Sequence, residues 1–252
     1  MSIRYKPNDC LVKMEKRTAM KRFYNRVTAE EEGGGYSVFL DGRVIKTPAK
    51  AHLRLPTRAL AEAIAGEWDA QSEKIDPANM PLMQAAATVI DRVTPQREKV
   101  IDEIASYGGT DLVCYRASHP PSLVEKQSAA WDPMLAWINK RHQVSLHVVE
   151  GIMHIQQPEE SLAKMRALVS RQQDMTLAPL YNMTSLCGSL VIALAVLDGR
   201  ITAEDAFEIS EIDETHTMEF WGSDAEAVKR RKNNKESLAA SARFLQLSGI
   251  IA

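Results

Sequence analysis

The run Leu186 to Leu197 (LCGSLVIALAVL) is the most apolar stretch of the chain and constrains its fold most. A membrane-spanning helix needs about 20 apolar residues. This run is shorter and carries Gly188 and Ser189, so it reads as a buried central helix around which other elements must pack. A chain of 252 residues is long enough for one large domain or two small ones. Hydrophobic residues make up 45% and charged residues 25%, which excludes disordered and collagen-like chains. Aromatics are only 6% while Met reaches 11, so the core is aliphatic, which favours helices.

The N-terminal part follows a different pattern. RFYNRVTAE, YSVFL, GRVIKTP and AHLRL are short, rich in Val, Tyr, Phe and Leu, and separated by Gly33-Gly34-Gly35, Asp41-Gly42 and Pro48. Asp41-Gly42 between two apolar segments is a hairpin signal, because Gly accepts a positive φ without steric cost. These segments predict a twisted sheet of roughly four or five strands. From Pro56 the period becomes helical. Pro56-Thr57 opens a helix with Leu60, Ile64 and Trp68 or Glu67 at spacings of three and four, and Pro81 suits a first helical position before Met83 to Val93. Thr94 is placed to cap the next helix, which Tyr107-Gly108-Gly109 ends. Leu123 to His142 reads as a helix burying Trp131, Leu135 and Ile138. Gln143 to Gln156 reads as a short strand pair turning at Gly151. Further helices run from Pro158 to Gln172, from Met175 to Leu197, from Thr202, and from Gly222 to Leu247.

The fold class is therefore α+β, a small β-rich N-terminal domain followed by a larger, mainly helical C-terminal domain. Residues 1–21 form a basic tail, 22–70 the β-rich domain ending in a helix, and 71–252 the helical domain. The tail lacks the apolar core of a signal peptide. The three cysteines (Cys10, Cys114, Cys187) are widely spaced without a CxxC pair, which points to a reducing compartment.

Catalytic and ligand motifs are missing: no GxxxxGK[ST], no GxGxxG after a strand, no GxSxG and no HExxH. Gly33-Gly34-Gly35 precedes a strand and reads as a hairpin, not a phosphate loop. The six histidines show no metal-ligand spacing, so neither a metal nor a cofactor is expected. The near balance of Lys+Arg 31 against Asp+Glu 33 argues against nucleic acid as a partner. Lys229-Arg230-Arg231-Lys232 lacks interleaved aromatics and reads as a solvated helix face.

The most unusual segment is Asp198 to Glu226, with ten acidic residues and one basic residue, Arg200. On one continuous helix, at about 100° per residue, Glu214 falls about 20° and Met218 about 20° from Phe207, and Trp221 about 40°. A carboxylate on such a stripe is paired within the fold, presented to a partner, or shifted in pKa. Asp213, Glu214 and His216 also allow an enzyme with a dispersed carboxylate site, although no second catalytic group is visible.

Ordered blocks across most of the chain carry a resemblance. They are Arg22-Phe23-Tyr24, LDGRVIKTPAK, LRLPT, Ala65-Gly66-Glu67-Trp68-Asp69-Ala70-Gln71, Pro77-Ala78-Asn79-Met80-Pro81 and Thr88-Val89-Ile90-Asp91. YGGTDLVCYRA, Gln127 with WDPMLAW, Ser185 to Leu190, Ala206-Phe207, Asp213-Glu214 and Trp221-Gly222-Ser223-Asp224 follow. With these blocks the chain resembles the assembly chaperone of the F-type ATP synthase alpha subunit. The resemblance implies two domains, no enzyme activity, and binding of the unassembled alpha subunit until the beta subunit displaces it. It implies a bacterial cytoplasmic protein, or a mitochondrial matrix one in a eukaryote, with no membrane insertion and a monomeric state favoured. It implies a role for an acidic residue carried here by Asp213-Glu214. Glu214, Asp213, Trp221, Met218 and Phe207 are accordingly the expected partner-binding residues. Trp68 and Trp131 are expected as core anchors. The chain departs from the expected pattern at Thr217, where a Gln is expected before the Trp-Gly pair, so a hydrogen-bonding amide is missing there.

Overall fold

A computed structural model describes residues 20–251. The basic tail expected over residues 1–21 falls, up to residue 19, outside the described residues, as does Cys10. The architecture is α+β, as expected. Strands β1 (Val27–Glu32), β2 (Gly35–Leu40) and β3 (Arg43–Val44) form one antiparallel sheet in the order β1-β2-β3. Asp41 (φ 48°) and Gly42 (φ 77°) make the two-residue turn between β2 and β3. Both lie in the left-handed region, where the twist matches that of the strands. The Asp41 carboxylate also accepts the amides of Asn25 and Arg26, which holds the chain entering β1.

The sheet has three strands, not the expected four or five. AHLRL contributes isolated bridges only, Lys46 to His52 and Tyr36 to Leu55. The cause is local: the chain folds back at Thr47, where Lys50 (φ 67°) donates its amide to the Thr47 carbonyl. An extended run across Pro48 is thereby prevented.

Helix α1 (Arg58–Asp69) starts where Thr57 Oγ1 accepts the Leu60 amide, and buries Leu60, Ala61 and Ile64. At its far end Glu67 accepts the amides of Leu82 and Met83, both at 2.8 Å. It thus caps α2 (Pro81–Thr88), which has Pro81 at its first turn. A π turn (Val89–Val93) leads to α3 (Arg97–Ser106). Thr94 does not cap α3. Its hydroxyl bonds the Asp174 carboxylate at 2.8 Å instead, so a tertiary partner wins over the local one. The 22-residue α4 (Pro121–His142) buries Trp131 and Ile138. Segment 143–156 is not a hairpin at Gly151. Its strand β5 (Val149–Glu150) pairs in parallel with β4 (Tyr115–Arg116), because the Gly151 amide reaches the Arg116 carbonyl at 2.8 Å.

After α5 (Glu159–Ser170), the predicted single helix from Met175 to Leu197 divides into α6 (Asp174–Cys187) and α7 (Leu190–Leu197). Gly188 takes φ 63° and Ser189 Oγ then accepts the Ile192 amide, so a helix stop and a helix cap lie side by side. All eight residues of α7 are buried, as expected for a central helix. Gly188→Ala should cost about 1 kcal/mol in thermal denaturation, from positive φ alone. The added Cβ meets Leu112 at 3.8 Å, an ordinary contact.

The last helices are α8 (Ala203–Ser210), opened by a Thr202–Asp205 capping box, α9 (Ile212–Trp221) and α10 (Ala225–Leu247). The core forms two clusters. One joins the sheet to α1 and α2, and the other surrounds α7. Helix α10 serves both, placing Phe244 in the first and Leu238 and Leu245 in the second. Burial pushes the thiols of Cys114 and Cys187 up to about 12, so both behave as small apolar core groups.

Candidate functional site: the α8–α9–α10 corner

The acidic segment does not form one helix. It breaks at Glu211 (φ −102°, ψ 16°), between α8 and α9. The stripe expected for Phe207, Glu214, Met218 and Trp221 therefore does not exist, because the break changes both the phase and the direction of the second half. Phe207 lies in the core around α7, with Arg231 and Lys235 over its ring at 5.5 and 5.7 Å. Met218 is half-buried. Trp221 is 87% exposed and its neighbour Phe220 67% exposed.

Helix α9 makes polar contacts to α4 and α10. Glu214 Oε1 lies 2.9 Å from Arg230 Nη2 on α10, so this carboxylate is neutralised within the fold. Glu211 and Arg231 approach to 3.0 Å, close enough for an ion pair but without hydrogen-bond alignment. Burial holds the Glu211 carboxyl above its ordinary range, and Arg231 offsets only part of that. Arg231 Nη2 also donates to Thr215 Oγ1 at 2.9 Å. Towards α4, Lys126 pairs with Glu219 at 2.7 Å and His216 Nε2 lies 3.3 Å from Ser122 Oγ. The basic run 229–232 is thus partly consumed in bracing the acidic segment.

Asp213 differs from Glu214. Its Oδ1 accepts Gln127 Nε2 at 2.6 Å, and the same Gln127 accepts the Ala117 amide through Oε1 at 2.8 Å. Asp224 caps α10 through the Ala227 amide. Asp213, Asp224 and Glu226 have no cationic partner among the described residues. The corner therefore combines two exposed aromatic rings with carboxylates that lack an ion-pair partner among the described residues.

Asp213, Glu214 and His216 do not converge. They turn to Gln127, Arg230 and Ser122 respectively. Cavities lined by Thr88, Val93 and Tyr181, and by Ser37, His52 and Arg54, lie elsewhere. No cluster of three or more His, Cys, Asp or Glu side chains suited to a metal occurs among the described residues. Thr217, at the position where a Gln is expected, bonds its hydroxyl to the Asp213 carbonyl within α9.

The expected partner-binding residues omit Phe220, which precedes Trp221 in the chain, and Val228 on α10, both of them exposed. A signal was present: Phe220 and Trp221 are consecutive near the end of the acidic segment, and side chains one residue apart on a helix point about 100° apart.

The chain superposes on the crystal structure of Atp12 from Paracoccus denitrificans with a TM-score of 0.87 and 41% sequence identity. The match covers 91% of this chain and 98% of the Paracoccus one. The chain belongs to the ATP12 chaperone family. Residues 21–139 also match the family described as ATP12 chaperone protein. A chaperone candidate from Agrobacterium tumefaciens is similar in structure, with a TM-score of 0.85 and 39% identity over 90% of this chain and 85% of that one. The mitochondrial protein atp12 of Schizosaccharomyces pombe is 24% identical over 238 residues, 89% of this chain and 81% of its own length. ATP12 membership bears out the resemblance carried by the sequence blocks, and a chaperone family accords with the lack of catalytic motifs.

Proposed function

We propose that this chain is an assembly chaperone of the ATP synthase that binds the unassembled alpha subunit through the α8–α9–α10 corner and yields it to the beta subunit. Family membership supports the coarser part of this reading, a chaperone of ATP synthase assembly rather than an enzyme. The exposure of Phe220 and Trp221 beside Asp213, Asp224 and Glu226 is the observation that carries the rest.

The physical reasoning is direct. A subunit without its neighbour exposes an obligate interface, which is large and apolar and promotes aggregation. A chaperone must cover such a surface and still be displaced, so its own contact is moderate in area and partly polar. An aromatic anchor within a charged rim meets that requirement, since aromatic side chains concentrate binding energy in few residues. No helix among the described residues is long and apolar enough to cross a membrane. The protein acts in the bacterial cytoplasm, or in the mitochondrial matrix of a eukaryote.

Titration calorimetry with an isolated alpha subunit tests this reading. Trp221→Ser should weaken binding by about 2 kcal/mol, roughly thirtyfold in Kd, with an unchanged melting temperature. Glu214→Lys should also weaken it, because the new Lys faces Arg230 and unseats α9. Wild-type affinity in both folded variants would remove the corner from the interface. Absence of any alpha binding by the wild-type protein would remove the function itself.

A further inference from the structure

A second exposed apolar group lies away from α9. Ile152 is 89% and Met153 75% exposed, and they sit together in the segment after β5. The segment is no loose surface loop. Its neck is closed by the buried Gln157, whose Oε1 accepts the His147 amide at 2.7 Å and whose Nε2 donates to the His147 carbonyl at 3.0 Å. β5 is tied to β4, and the Gly151 amide to the Arg116 carbonyl. Beyond Gly151, the amides of Ile152 to Gln156 make no hydrogen bond among the described residues. The result is an anchored loop that presents two apolar side chains and a free backbone edge.

This loop and α9 share one support. Gly151 bonds Arg116, Ala117 bonds Gln127, and Gln127 bonds Asp213, so three successive hydrogen bonds at the start of α4 link the two exposed groups. Glu150, like Asp213, Asp224 and Glu226, has no cationic partner among the described residues. Both groups thus place exposed apolar side chains near carboxylates that lack a cationic partner, Glu150 at the loop and Asp213, Asp224 and Glu226 at the corner. A second copy of the chain bound across a two-fold axis would set these like charges against each other. A partner with apolar side chains flanked by Lys or Arg fits instead.

We propose that the loop 148–156 is a second docking element for the client, taking an extended apolar segment of the unassembled subunit that carries flanking basic residues. The contacts are Ile152 and Met153 for the side chains and the free amides of 152–156 for the backbone, as when a strand is added to an open edge. Met is suited to this because its flexible thioether adapts to different surfaces. The proposal rests on the reading of the protein as an alpha-subunit chaperone.

Hydrogen exchange of the full chain, with and without isolated alpha subunit, tests both claims separately. The expected result is slowed exchange at Ile152 to Gln156 together with α9. Slowing at α9 alone overturns the docking loop and leaves the function standing. Slowing at neither overturns both. Slowing at 152–156 on concentrating the chain alone identifies a second copy as the occupant and also overturns the proposal. The double variant Ile152→Ser, Met153→Ser should weaken alpha binding by roughly tenfold with an unchanged melting temperature. Wild-type affinity in that variant would equally overturn the loop's role.

Discussion

Asp111→Ala is expected to lower the unfolding free energy by about 4 kcal/mol, a large share of the stability of a chain this size. The side chain is completely buried. Its Oδ1 accepts the Val113 amide at 3.3 Å and so starts the turn Leu112–Cys114. Its Oδ2 accepts the Val191 amide at 3.0 Å, in the first turn of the buried helix α7. Removing the carboxylate leaves buried donors without partners, at the helix that centres the larger core. Each such group costs about 1–3 kcal/mol. Urea unfolding followed by circular dichroism measures the loss. A wild-type midpoint in Asp111→Ala would show that water replaces the carboxylate.

The same residue sets a pH dependence. Burial pushes the Asp111 carboxyl up from 3.8 to about 6, against hydrogen bonds from Ser189, Val191, Val113 and Leu190 that pull it down. The folded value lies above the unfolded one, so protonation favours the fold. That contribution is fully present below 3.8 and is lost as pH rises through about 6. Asp111→Asn cannot titrate. The advantage of wild type over Asp111→Asn should therefore widen as pH falls from about 7.5 to about 5. A constant difference across that range would contradict the raised value.

Trp131→Ala is the second large effect, with an expected loss of about 4 kcal/mol. The indole is fully buried in the α7 cluster, and its Nε1 donates to the Ile209 carbonyl at 2.9 Å. That carbonyl lies at the end of α8, two residues before the break at Glu211. Arg116 also packs over the ring at 5.2 Å and pairs with Asp132 at 2.8 Å. Truncation opens a cavity and also frees the end of α8, so the placement of α9 should suffer with it. Trp131→Phe separates the two contributions: it keeps most of the volume and loses the hydrogen bond, for about 1 kcal/mol. Thermal melts and alpha-subunit binding on both variants are the measurements. Full client binding by Trp131→Phe would show that the indole bond does not position α9.

Much of the local structure was legible in the chain. Asp41-Gly42, Thr57, Pro81 and Thr202 mark turns and helix starts where the structure has them, because each acts on amides within a few residues of itself. The apolar run from Leu186 to Leu197 is central, as its composition requires. Two of the three departures share a cause. Thr94 finds Asp174 in place of its own helix, β5 finds β4 in place of a hairpin partner, and the chain folds back after Thr47. In the first two, the deciding contact is distant in sequence, and periodicity does not report it.

The candidate site divides in the same way. The sequence by itself determined an acidic, aromatic-bearing segment at 198–226, and its block pattern pointed to a chaperone. It did not determine which carboxylates keep their charge. A break at Glu211 rotates α9 away from the phase of α8, Arg230 and Arg231 stand within ion-pair distance of Glu214 and Glu211, and Asp213 meets Gln127 and no cation. Those outcomes depend on α4 and α10, whose side chains meet α9 across the fold. Local propensity selects the elements within a few residues; compensation of charge and exposure of Trp221 follow from packing among helices up to about a hundred residues apart, and only the tertiary structure decides them.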